Sequence, residues 1–178
     1  RAEMQQELNR NITELDQLID EILLTSRLDA VQGSQDSREL VDLTAMLAEE
    51  CARVNARLDA ELVAVSADSR LIRRMLRNLL ENARRHGGNA EIEVNLSKPS
   101  NALLQLDVCD RGPGVPIQER EHIFEPFYRL PGARESDGGV GLGLSLVRQI
   151  AVRHGGSVQC LEREGGGSCF RIKLPTQT

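Results

Sequence analysis

The run NLLENARRHGG, Asn78 to Gly88, sets two amides, an arginine and a histidine inside a leucine-rich helical pattern. At about 100° per residue, Asn78, Asn82 and Arg85 fall within roughly 60° of one another. Ile72, Met75, Leu76, Leu79 and Ala83 occupy the adjoining face. Such a polar stripe is either a solvated helix edge or the wall of a pocket that holds something charged. Asp68 stands where an N-cap is needed and Gly87-Gly88 where the helix must stop.

Around this helix the sequence alternates between blocks of helix and blocks of strand. Leu8, Ile12, Leu15, Ile19 and Ile22 recur at steps of four and three, and Leu18, Leu23, Leu24 and Leu28 widen the stripe. That width suits a long bundle helix better than a two-stranded coiled coil. AVQGSQDSRE (Ala30 to Glu39) reads as a linker. A strand follows at Glu39 to Val41, and Asp42 caps a helix expected to reach about Leu58. ELVAVS, AEIEVNL and ALLQLDVCD read as strands. GLGLSLVRQIAVRHGG reads as a helix that starts and ends on glycine. SVQCLERE and SCFRIKLP form a hairpin across GGG. The fold class expected is α+β, a two-layer α/β sandwich preceded by one long helix. Residues 1–30 form the helix, 31–38 the linker and 39–178 the second domain.

The 178 residues are 40% hydrophobic and 28% charged, with net charge −5. This balance gives no support for a nucleic-acid or anionic-membrane partner. No apolar run approaches a membrane span, and no signal pattern opens the chain. Arg1 falls inside a helical pattern, so the sequence reads as part of a longer chain. Cys51, Cys109, Cys160 and Cys169 show no CxxC spacing and read as buried thiols in a reducing compartment. Three of the four aromatic residues cluster in FEPFY, which suggests a local role.

Two further stretches carry chemistry. DVCDRGPGVP puts Asp110 at a strand end before a turn containing Gly112 and Gly114, where the backbone can approach a flat ligand closely. A carboxylate there accepts a hydrogen bond from an exocyclic amine, or simply satisfies its own turn. GGVGLGLS opens a helix whose free N–H groups suit an anion. The spacing of Gly139, Gly141 and Gly143 is not the dinucleotide pattern. LPGARESDGGV, between the aromatic cluster and that helix, is either a lid or a plain surface loop. Asn82 offers an amide oxygen suited to Mg²⁺, and Arg85 a charge for phosphate.

Taken in order, NLLENARRH, DRGPGVP, IFEPFYR, GVGLGL and GGGSCFRIKLP resemble the successive boxes of sensor histidine kinase catalytic domains, over about residues 40 to 175. LDQLIDEILLTSRLD resembles the second helix of that family's dimerisation and phosphotransfer bundle. The resemblance implies an ATP-binding domain that uses Mg²⁺ and phosphorylates a histidine. Asn82 would bind Mg²⁺, Asn78 would line the phosphate pocket, and Arg85 would contact phosphate. Asp110 would bind the adenine amine, with Gly112 and Gly114 shaping its turn. Gly139, Gly141 and Gly143 would admit the phosphates, and Arg129 would steady the γ-phosphate. Phe124 and Phe127 would anchor the lid. His86 stands where many relatives have a tyrosine stacked on adenine, and Val140 and Ser168 stand where threonine is common. Ser168 is retained among the nucleotide-binding set.

His86, His122 and His154 are the only histidines, and none has the context of the family's phosphoacceptor. The acceptor is therefore expected on a helix outside this sequence. The resemblance further implies a homodimer through the bundle and a response regulator receiver domain as the next carrier. It also implies a position on the cytoplasmic side, with the parent protein in the bacterial inner membrane through segments outside this sequence. Two other readings remain. The related gyrase and chaperone ATPases hydrolyse ATP, but they place a glutamate where this chain has Asn78, an amide without useful basicity. A non-catalytic nucleotide-sensing or dimerisation module is the third.

Overall fold

The computed structural model describes residues 1–30, 37–132 and 141–176. Helix α1 (Ala2–Ala30) precedes strand β1 (Glu39–Asp42), helix α2 (Leu43–Arg53), strands β2 (Arg57–Ala60) and β3 (Ala64–Ala67), and helix α3 (Ser69–Gly87). Strands β4 (Glu93–Ser100) and β5 (Leu103–Cys109), helix α4 (Gly143–Arg153), and strands β6 (Ser157–Glu162) and β7 (Ser168–Pro175) follow. Two short 3-10 turns, Ile117–Glu119 and His122–Phe124, lie between β5 and α4. The expected linker falls almost wholly on residues 31–36, and most of the expected lid on 133–140; both stretches lie outside the described residues.

The main sheet has the order β2-β4-β5-β7-β6, and β1 pairs separately with β3. Among the described residues, only the β2–β4 pair is parallel. The other neighbours run antiparallel, including the β6–β7 hairpin that the GGG turn announces. Along β5 and β7 alternate side chains are buried: Leu104, Leu106 and Val108, then Phe170, Ile172 and Leu174. Against this face pack Ile72, Met75, Leu76, Leu79 and Ala83 of α3, with Leu146, Val147 and Ile150 of α4. Each large side chain so buried contributes about 1.5–3 kcal/mol. The result is the expected two-layer α+β sandwich.

The caps read from sequence form as expected. Asp42 accepts from the Ala45 N–H at 3.0 Å, and Asp68 from the Arg70 and Leu71 N–H groups at 3.1 and 3.2 Å. Helix α2 nevertheless stops at Arg53, five residues short of the expected end, because Asn55 turns the chain with a φ of 55°. The freed residues become β2, a strand that RLDA does not advertise. Glu50 is buried between α2 and α3, with Arg73 at 2.7 Å and Arg77 at 3.0 Å. Burial alone would raise its pKa, but the bonds from Arg77 and Arg73 outweigh it and hold the carboxyl below its usual range.

The expectation of four buried thiols fails for two of them. Cys109 and Cys169 face each other in register on β5 and β7 and are joined by a disulfide. Sixty residues of sequence hide a neighbour that only sheet pairing creates. Cys51 and Cys160 are free and buried, and burial pushes both thiols up to about 11.

His154, also buried, fastens the two long helices of the sandwich together. Its Nδ1 lies 2.8 Å from the Ile150 carbonyl, and its Nε2 accepts the Asp68 N–H at 3.1 Å, so the neutral Nδ1–H tautomer fits. Burial, aided by Arg38 and Arg153, lowers its pKa against the opposing Ile150 carbonyl and Asp68. A histidine whose folded pKa is depressed contributes stability above its unfolded value, about 6.5, and loses it as pH falls toward the folded value. The thermal midpoint is expected to drop between about pH 7 and pH 5.5, and His154→Gln should flatten that slope. An unchanged slope in the variant would remove His154 as its source.

Candidate functional site

The polar stripe of α3 is the wall of a cavity of about 240 Å³. Asn78, Asn82, Arg85 and His86 all line it. The stripe is carried there by the burial of the adjoining face, since Leu79 and Ala83 have no exposed surface. Opposite stand Asp110, Pro113, Gly114 and Val115 from the turn after β5, with Ser168 and Phe170 from β7. The third side is made by Tyr128, Arg129 and Leu130, by Gly141, and by Gly143 and Leu144 at the start of α4.

Asp110 sits on the floor with 2% of its surface exposed. Its Oδ1 accepts the Gly112 N–H at 2.9 Å, and its own N–H donates to the Ser168 carbonyl at 2.9 Å. The carboxylate is therefore oriented by its own turn while facing the cavity. The turn reading of Asp110 is thus seen directly, and the carboxylate also lines the cavity. Gly112 itself does not line the cavity; a Cβ there would come within 2.6 Å of the His86 carbonyl, so it allows the turn to close on α3.

At the other end, the Asn78 amide donates to the Gly143 carbonyl at 3.3 Å and ties α3 to the first turn of α4. A Cβ at Gly143 would meet no protein atom, so the missing side chain leaves room in the cavity beside the helix start. Backbone N–H groups and the positive end of the helix dipole lie at this point, an arrangement suited to anions. Gly141 has a φ of 81°, and a Cβ there would approach the Tyr128 carbonyl to 2.8 Å. Gly139 lies outside the described residues.

The FEPFY cluster supports this corner. Phe124 is buried edge-on against Phe170, with the Arg148 guanidinium 4.8 Å above its ring. Phe127 is 63% exposed, so its ring packs little; its N–H instead holds the Gly141 carbonyl at 3.0 Å. Tyr128 stacks on His122 and donates its hydroxyl to Glu119.

Two carboxylates also stand in the cavity wall, and only Glu21 has no signal in the sequence. Glu81 lines the cavity from α3, although it lies about 100° around the helix from Asn82. Glu21 lines it from α1. Helix α1 packs on α4, with Leu24 and Leu28 against the core, and this brings Glu21 within 3.7 Å of Arg74. Burial raises the Glu21 pKa, with Arg74 and Arg85 pulling the other way. No local pattern distinguishes Glu21 from the other acids of α1; only the docking of that helix does.

The site as a whole is a cleft lined by a buried carboxylate, a helix start and two arginines, Arg85 and Arg129. That polarity fits a ligand with a hydrogen-bond-donating ring and an anionic tail. Among the described residues, no group of three or more His, Cys, Asp or Glu side chains could hold a metal ion. No helix among them is long and apolar enough to cross a membrane.

Comparison with known proteins agrees with this geometry. The family model described as histidine kinase-, DNA gyrase B- and HSP90-like ATPase matches residues 67–178. The sensor protein RstB of Escherichia coli (strain K12) is 39% identical over 181 residues, covering 96% of this chain and 41% of that protein. The sensor protein KdpD of the same organism is 43% identical over 127 residues, covering 70% of this chain and 14% of that protein. The solved mycobacterial sensor histidine kinase MprB superposes with a TM-score of 0.71 at 29% identity, covering 79% of this chain and 98% of that one. Full-length ShkA, solved in complex with AMPPNP, superposes with a TM-score of 0.80 at 25% identity over 97% of this chain and 38% of that one. The chain spans less than half the length of RstB and a third of the SasA protein of Prochlorococcus marinus (strain MED4).

Proposed function

Because this chain belongs to the histidine kinase-, DNA gyrase B- and HSP90-like ATPase family, we propose that it binds ATP in this cavity and passes the γ-phosphoryl group to a histidine. The acceptor lies on a bundle helix outside the sequence, since none of the three histidines here sits in an acceptor position. The observation that carries the reading is the cavity's polarity: the buried Asp110 carboxylate on one side, the α4 start tied to Asn78 on another, and Asn82 and Arg85 on the wall they share.

On this reading Asp110 accepts the adenine amine, His86 stacks on the ring, and Gly112, Gly114 and Ser168 shape the adenine end. Gly139, Gly141 and Gly143 admit the phosphates, Asn78 holds the α4 turn against them, and Arg85 and Arg129 supply positive charge. Asn82 would hold Mg²⁺ through its amide oxygen, a hard donor suited to this ion. When bound, the ion screens charge on the transferring group. A nitrogen–phosphorus bond forms at the acceptor imidazole as the bond to the ADP oxygen breaks. Positioning and charge stabilisation dominate this chemistry, and a strong base is not needed.

We assign residues 1–30 to the dimerisation bundle and 39–178 to nucleotide binding, with a response regulator receiver domain as the onward carrier. The stripe Met4, Leu8, Ile12, Leu15 and Ile19 is exposed, which supports self-association through α1. Attachment to a membrane belongs to segments outside this sequence. The experiment that tests the central reading is calorimetric titration with a non-hydrolysable ATP analogue beside the GTP analogue, followed by addition of a separate acceptor helix with ATP.

ATP hydrolysis is the second reading, and Glu21 and Glu81 in the cavity wall favour it. Asn78 disfavours it, being committed to the Gly143 carbonyl. Sustained phosphate release that Asn82→Ala abolishes would establish it.

Glu21 also yields a prediction. Its carboxylate repels phosphate while it is ionised, so Glu21→Gln should tighten ATP-analogue binding about two- to fivefold. The gain should shrink in high salt. Because the Glu21 pKa is raised, the gain should also shrink at mildly acid pH, where the native side chain loses its charge. Titrations at pH 8 and pH 6 check both; weaker binding by the variant would mean that Glu21 supports the site.

A further inference from the structure

The disulfide between β5 and β7 ends one residue from the nucleotide floor. Cys109 precedes Asp110, and Cys169 follows Ser168; Asp110 and Ser168 both line the cavity. Between the two pairs runs the last rung of the ladder, the Asp110 N–H to the Ser168 carbonyl at 2.9 Å. Side chains alternate across the sheet. Asp110, Ser168 and Phe170 therefore face the helices, whereas the two cysteines share the open face with the Arg171–Asp107 ion pair. There both are partly exposed, within reach of a thiol in solution.

Beyond the bridge, this end of β7 is held by its pairing with β6, Ser168 opposite Glu162, and by the Arg163 N–H to the Gly167 carbonyl at 3.0 Å. The strand follows Gly165, Gly166 and Gly167, all with φ between 86° and 106°, a run that gains much freedom when released. The Gly167 α-carbon lies directly against the Asp110 carbonyl, so movement of this turn is felt at Asp110.

We propose that Cys109 and Cys169 form a reversible dithiol–disulfide centre that sets nucleotide affinity by locking or releasing the rung that carries Asp110. The control of affinity rests on the nucleotide reading above. In the reducing direction, the thiolate of a dithiol reductant attacks one sulfur of the bridge, and the other leaves as a thiolate and takes up a proton. The second thiol of the reductant, as its thiolate, then attacks the reductant sulfur of the mixed disulfide, and the remaining protein sulfur leaves as a thiolate and takes up a proton. The reductant ends as a disulfide, having given two electrons to the pair. In the oxidising direction, two cysteine thiols and one oxidised glutathione give the bridge and two glutathione thiols. Cys160 lies on the buried face with its thiol pushed up to about 11, so it competes poorly for exchange.

The bridged form pre-organises Asp110, and reduction should weaken binding of an ATP analogue about fivefold. The test equilibrates the 178-residue chain in glutathione buffers from reducing to oxidising. It then reads bound analogue, thiols by mass after alkylation, and amide exchange at Asp110. One bridge joining Cys109 to Cys169, weaker binding and faster exchange on reduction, and full reversal by oxidised glutathione are expected. The double variant Cys109→Ser, Cys169→Ser should bind as the reduced chain does and ignore glutathione. Equal affinity in both forms, no bridge at any buffer ratio, or a double variant that still responds would overturn the proposal. Absence of analogue binding in both forms overturns the nucleotide reading instead. The exchange at Asp110 then decides on the locked rung, and equal rates overturn that as well.

Discussion

Asp110→Asn will weaken ATP-analogue binding about ten- to hundredfold, the counterpart of roughly 1–3 kcal/mol. The loss follows from where the side chain is already committed. Oδ1 accepts the Gly112 N–H at 2.9 Å, so the asparagine keeps its oxygen there. Its NH₂ group must then face the cavity. A donor meets the donating amine of adenine, and the purine loses an acceptor and gains a repulsive contact. Folding should survive, because the turn keeps its own hydrogen bond. Calorimetry on wild type and variant, with thermal midpoints measured alongside, checks both parts. Unchanged affinity would remove Asp110 from the ring-binding end. A collapse of the midpoint would show that its role is to hold the turn.

Asn82→Ala should have the larger effect on turnover. Phosphotransfer to a separately supplied acceptor helix is expected to fall about 10²–10³-fold, the scale seen when one group is removed from a charge-stabilising site. The amide is half-buried on the cavity wall, next to the fully buried Ala83, and its loss leaves no hole in the core. Affinity for the analogue without Mg²⁺ should therefore be nearly unchanged, while the strengthening produced by Mg²⁺ should disappear. Titrations with and without the ion separate the two. Retained dependence on Mg²⁺ in the variant would exclude Asn82 as its ligand.

Much of this is legible in the sequence alone, and the reason is locality. Asp42 and Asp68 announce helices because a cap bonds to residues two or three positions away. The face of α3 reads correctly because burial repeats with the helical period, and GGG between two alternating runs makes a hairpin. The polar stripe from Asn78 to His86 was visible as a stripe, but the residues opposite it came from resemblance to a family. What stayed hidden depends on distant pairing. Strand β2 is short and half-exposed, defined by its neighbour β4. The Cys109–Cys169 bridge exists because β5 and β7 align in one register. Glu21 enters the cavity only because Leu24 and Leu28 seat α1 on the core. Glu93 likewise gathers Arg111 at 2.9 Å and Arg163 at 2.8 Å from two other segments, beside the Asp110 turn.

The docking of α1 makes that helix a cam. Its docked side chains, Glu21, Leu24, Thr25 and Leu28, and its exposed stripe, Leu8 to Ile22, are centred roughly 150° apart around one cylinder. Whatever grips the stripe sets the angular phase at which the Glu21 carboxylate meets the cavity. One residue inserted between Glu21 and Leu24 would turn that carboxylate about 100° out of line, whereas three or four would bring it nearly back. The rotational setting of this helix is thus encoded in a residue count, and the charge of the cavity wall is geared to it without any change in the other residues that line it.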